Sequence, residues 1–173
     1  MANSYRLDVL KRLTVHLKGI TPANGYEYDL SPDSAFPSGK VFRGRVLFGV
    51  NDPVPLVSIL EAPRPDQGKF AGENGYQRSE SWPLLVQGWA ADDEENPTDP
   101  AYALMDAVEN RLSRLIAQDA TSGAEIYPDE YLLGRTIGSL VVLPGVVRPP
   151  MAEMSSKAFF YLPILVGLVR PSQ

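Results

Sequence analysis

Few side chains in this sequence are spaced for chemistry, and the densest ionisable set is the run Asp92-Asp93-Glu94-Glu95. Adjacent carboxylates can hold a cation. A calcium loop, however, needs the order Asp-x-Asp-x-Asp-Gly to bring its oxygens round one ion, and that order is missing, so a solvated connector is the better reading. Arg43 and Arg45 share one side of any strand formed there and could grip a phosphate or carboxylate. No glycine-rich cradle or helix start follows them, which favours the solvated face of a half-buried strand. His16 is the one histidine. Beside Leu17, near the end of an amphipathic segment, it reads as a flank residue close to the C-terminal carbonyls rather than as a base or ligand. Cysteine is absent, which removes disulfides, thiolate nucleophiles and thiolate metal sites, and suits a reducing compartment. A phosphate loop, a helical histidine pair around a glutamate and a Gly-x-Ser-x-Gly elbow are also missing. A hydrolytic carboxylate pair needs a separation in space that a sequence does not display. The expectation is a protein that is not an enzyme, with no catalytic residues, no cofactor and no metal.

Composition sets the frame for these residues. With 173 residues, 44% apolar and 21% charged, the chain can build one full core, so a single domain over residues 1–173 is expected. A formal charge of −5 argues against a protein whose main task is to grip a phosphate backbone. No apolar run has the form of a signal peptide or the length of a bilayer span, so a soluble protein is expected.

The elements that must position these side chains follow from periodicity. Leu7, Leu10, Leu13 and Leu17 recur at helical spacing, which predicts a helix over about 4–18, capped by Asn3 or Ser4 and stopped by Gly19. A second stripe, Leu104, Val108, Leu112 and Leu115, widened by Ala101, Met105 and Ile116, predicts a helix over about 100–117. Asp99 caps it, Pro100 takes its first position, and Asp106, Glu109, Arg111 and Arg114 take other faces. Short apolar or alternating runs predict strands over about 26–30, 40–49, 55–61, 82–91, 136–147 and 157–169. The last two can pair antiparallel, and Pro163 places its strand at an edge or a bulge. Two segments stand out as arms. Residues 64–81 are rich in Gly, Asp, Gln and Asn and read as a mobile arm whose Phe70 and Tyr76 either anchor into a partner or fold back on their own domain. Residues 148–156 form a hairpin tip that presents Arg148, Met151 and Met154. The fold class expected is α+β: a mixed or mainly antiparallel sheet packed against two amphipathic helices, with long loop or hairpin arms.

The stretch Trp82-Pro83-Leu84-Leu85-Val86-Gln87-Gly88-Trp89, the acidic link after it, and Pro97-Thr98-Asp99-Pro100-Ala101-Tyr102-Ala103-Leu104-Met105 resemble the tail terminator, or tail completion, proteins of long-tailed bacteriophages. Val41-Phe42-Arg43-Gly44-Arg45 and the helix-first layout add to the likeness. The resemblance implies a virion protein made in the host cytoplasm. Its subunits would form a ring, usually a hexamer, that caps the tail tube, ends tube polymerisation and offers its other face to the head connector or stopper protein. DNA would pass through without sequence-specific binding. On that reading Phe70, Tyr76, Arg148, Met151 and Met154 are partner or subunit contacts, and Asp92, Asp93, Glu94 and Glu95 line the channel, where negative charge keeps DNA from sticking. Another neck or head–tail connector component, or a small carboxylate-using enzyme, are the alternatives.

Overall fold

The computed structural model describes residues 4–62, 81–151 and 155–169. Most of the predicted arm over 64–81, with Phe70 and Tyr76, lies outside the described residues, as does Met154.

The fold is α+β. Six strands form one mixed sheet in the order β1-β2-β3-β6-β4, with β5 also on β6. They are β1 (Val41–Arg43), β2 (Leu56–Glu61), β3 (Ser81–Trp89), β4 (Ile137–Val142), β5 (Val146–Arg148) and β6 (Phe159–Leu168). Only β1 and β2 run parallel; the other pairings are antiparallel. The two long helices are α1 (Tyr5–Leu17) and α2 (Asp99–Ser113), the latter continued by a 3-10 turn, Arg114–Ile116. Among the described residues no helix is long and apolar enough to cross a membrane.

Period-two alternation explains how the sheet is sealed. Trp82, Leu84 and Val86 on β3 and Phe160, Leu162, Ile164 and Val166 on β6 all point to one side and are buried. Val9, Leu13 and Leu17 of α1 and Ala101, Leu104, Val108 and Leu112 of α2 close over them as one core. Each such Val, Leu, Ile or Phe side chain withdrawn from water contributes about 1.5–3 kcal/mol. The α1 stripe is rotated from its expected place: Val9 and His16 belong to the buried face, whereas Leu7 is exposed.

Several boundaries differ from expectation, each for a local reason. Residues 26–30 are not a strand. Tyr28 Oη donates to Pro100 O at 2.9 Å, and Leu30 N donates to Ile20 O at 2.9 Å, so this segment spends its hydrogen bonds on the first turn of α2 and on the loop after α1. The strand expected over 40–49 stops at Arg43 because Gly44 takes a left-handed φ of 80° while its N–H reaches Ile59 O. The run 136–147 is two strands, broken between Val142 and Val146 at Pro144-Gly145. Pro163 does not put β6 at an edge, for β6 lies inside the sheet. Its missing N–H faces that break instead, where Leu143 N still donates to Pro163 O at 2.9 Å and no ladder donor is required. The α2 cap is Thr98, with Asp99 inside the first turn, and neither Ser4 nor Thr98 makes a side-chain capping bond.

Candidate assembly surface

Among the described residues no helix lies on the other side of the sheet. Leu56, Trp89 and Phe159 are buried there, with Phe42, Phe48 and Tyr161 packed against them, so one end of this face carries its own small core. Beyond it no described element covers the face. Leu60 pairs with Leu85, Leu85 with Pro163, Pro83 with Leu165, and Leu165 with Val141. Cross-strand partners share a face, so these residues make a continuous apolar strip. Leu60, Pro83, Leu85, Pro163 and Leu165 are half-buried, and Val141 and Val146 are exposed. A contiguous, partly exposed apolar strip on a sheet face is a candidate association surface.

The acidic turn and the hairpin tip meet at the end of the sheet that carries the small core. Trp89, Phe159 and Arg148 lie in register across β3, β6 and β5, which sets the residues after Trp89 beside those before Phe159. Lys157 Nζ then pairs with Asp92 at 2.7 Å. Asp93 Oδ1 accepts the N–H groups of Glu95 and Asn96 at 2.9 and 2.7 Å, so this carboxylate shapes the turn itself. Glu94 and Glu95 are exposed. Arg148 is exposed at the end of β5, and exposed Met151 exchanges two 2.8 Å backbone bonds with Ser155 to close the tip. The predicted residues within the described part thus share one end of the sheet. Among the described residues no group of His, Cys, Asp and Glu is arranged to hold a metal.

The two arginines are accessible to solvent, Arg43 exposed and Arg45 half-buried, and each also has a partner within the chain. Arg43 Nη1 donates to Thr14 Oγ1 at 2.9 Å. Arg45 pairs with Asp52 and covers the ring of Phe42. They are not presented together to an anion.

A groove of about 520 Å³ on the helix side is lined by Asp8, Arg12, His16, Arg111, Glu130 and Leu133 among others. His16 is buried, not a flank residue. Its Nε2 lies 2.7 Å from Arg111 O, which as an acceptor requires a proton on Nε2, while Arg111 Nε donates to His16 O at 2.9 Å. The two helices therefore exchange bonds near their C-terminal ends. Arg111 is buried as well, and a Cβ on Gly19 would collide with its guanidinium; Gly19 gives room rather than a left-handed stop. Burial lowers the His16 pKa to about 4, with the nearby Arg111 and Arg114 charges acting in the same direction. Glu130 Oε2 sits 3.8 Å from His16 Nδ1, but Arg114 holds that carboxylate with two bonds of 2.9 and 2.7 Å and keeps its pKa down. A neutral imidazole whose proton is committed to a backbone carbonyl is a helix clamp, not a poised base. Arg111, expected on another face of α2, is instead on its buried face, three residues after Val108 and seven after Leu104, and that spacing is the sequence signal for it.

The wall of this groove includes a left-handed turn. Leu132, Leu133, Gly134 and Arg135 have φ of 50, 55, 66 and 62°, a conformation that costs each non-glycine residue roughly 1–2 kcal/mol. Leu133 is buried by it, and Thr136 Oγ1 bonds back to Leu133 O at 2.8 Å. No protein-family model matches this sequence, and no curated protein matches it.

Proposed function

We propose that this chain is a structural subunit of a bacteriophage tail, assembling into a ring that caps the tail tube, ends its growth and joins it to the head connector. The observation that carries the reading is the apolar strip on the helix-free face of the sheet, from Leu60 through Leu85 and Leu165 to Val141, which one subunit leaves uncovered by any described element. A head-to-tail ring needs two different patches on each subunit. The strip supplies one, and the end of the sheet bearing Glu94, Glu95, Arg148 and Met151 supplies a second. The sequence resemblance to tail terminators supports the same reading.

On this reading the acidic turn faces the channel, where carboxylates repel the DNA phosphates and let the duplex slide. The test is the mass of the purified full chain in solution and its place in a particle by electron microscopy. A six-subunit ring at the end of the tail tube is the expected result. Location elsewhere in the neck would make the chain another connector component, and a permanent monomer would refute assembly. A ring with the 92–95 turn on its outer rim and basic residues along the lumen would end the channel assignment alone.

A further inference from the structure

We propose that the β4 edge pairs with itself, joining two copies of this chain strand to strand about a two-fold axis at Val141. The direction of the edge follows from one hydrogen bond. Leu143 N donates to Pro163 O at 2.9 Å, so position 143 faces β6. Backbone groups alternate sides along a strand, which turns the N–H and C=O of Leu140 and Val142 outward. Among the described residues β6 is the one strand paired with β4. Outward groups at this spacing are matched bond for bond by an extended strand.

Soluble proteins blunt such edges with charge, proline or short length. The opposite edge of this sheet is blunted: β1 has three residues, ends on Arg43 before Gly44, and is tied at its start to the 20–39 loop through Lys40 N and Leu30 O at 3.0 Å. β4 is twice as long, and Ile137–Val142 holds neither charge nor proline before the Pro144-Gly145 break; Val141 is 47% exposed on the side of the sheet away from α1 and α2.

A second copy is the occupant that this difference selects. Two identical sheets, each with one open edge, can join edges only by pairing that edge with itself. The match is self-consistent. With Leu140 opposite Val142 of the second copy, the two exchange their N–H···O bonds in both directions. Val141 then faces its own counterpart at a non-hydrogen-bonded position, and no like charges meet from 138 to 144. This two-fold contact is separate from a head-to-tail ring contact and describes the free subunit before assembly.

The chain has no cysteine, so Val141→Cys introduces a lone thiol. Across a non-hydrogen-bonded antiparallel pair the Cα atoms are about 4.5 Å apart, within disulfide reach. Mild oxidation of the native full chain is expected to convert most of V141C to a covalent dimer. Val15→Cys, on the exposed side of α1, should stay uncrosslinked under the same conditions. Val141→Lys sets like charges at the axis and should raise the dimer dissociation constant about fivefold by sedimentation, with unchanged circular dichroism. Crosslinking of V141C no faster than that of V15C, or a wild-type chain that sediments as a monomer at every concentration, overturns the edge pairing. A ring in which V141C does not crosslink removes the edge pairing and keeps the ring; a crosslinked dimer that never closes into a ring does the reverse.

Discussion

The two faces of the sheet are built from the same strands and differ in what lies on them. On β3 and β6 the helix-side positions Leu84, Val86, Leu162 and Ile164 are fully sealed, while their neighbours Leu85, Pro163 and Leu165 on the other side are half-open. Side-chain apolarity does not separate them, since leucine occurs on both. The cover does. Helices α1 and α2 both pack on one side, and among the described residues the other side carries the Trp89 cluster at one end. Apolar character thus serves stability on one face and stays half-exposed among the described residues of the other.

The comparison breaks most plainly by substitution. Phe160→Ala, on the sealed face, should cost about 3–5 kcal/mol in urea denaturation, because its cavity lies between sheet and helices. Leu85→Ala, on the open face, should cost below about 1 kcal/mol; equal losses would mean that both faces are covered in the free chain. Arg111→Ala is expected to cost about 1–3 kcal/mol, since it leaves the His16 carbonyl without its guanidinium donor beneath the α1 end.

A smaller effect concerns acid. His16 is neutral when folded, with a pKa of about 4 against 6.5 for the free side chain. The unfolded chain therefore takes up the extra proton first as pH falls. The His16 contribution is fully present above pH 6.5 and is lost progressively down to about pH 4. His16→Gln should flatten the stability profile across that window, and parallel profiles for the two proteins would place the acid sensitivity elsewhere. The smallest change in stability is expected for Leu165→Ser, within roughly 1 kcal/mol. Its readout is association: a shift toward the monomer in sedimentation would sharpen the distinction between the faces, and no shift would mean the strip is not used.

Much of the fold was legible because local periodicity is a local property. Both amphipathic helices, the strand over Ser81–Trp89 and the antiparallel return of β6 follow from spacing and breakers alone. The false strand at 26–30 came from alternation of Tyr26, Tyr28 and Leu30, a pattern that loop packing satisfies equally well. Local sequence makes His16 a flank residue because its partners lie far away along the chain: Arg111 is 95 positions on. Val141 and Val142 looked alike in the sequence, and only the register with β6 separates the exposed one from the one packed on the core.

By itself the sequence determined composition, the absence of cysteine, the helix stripes and the acidic turn, since each depends on residue identity and near neighbours. The tertiary structure decided which sheet face the helices cover, which edge stays open and that His16 and Arg111 clamp two helices together. These are consequences of where distant segments meet, and one chain's periodicity carries no record of which of two apolar faces receives the helices.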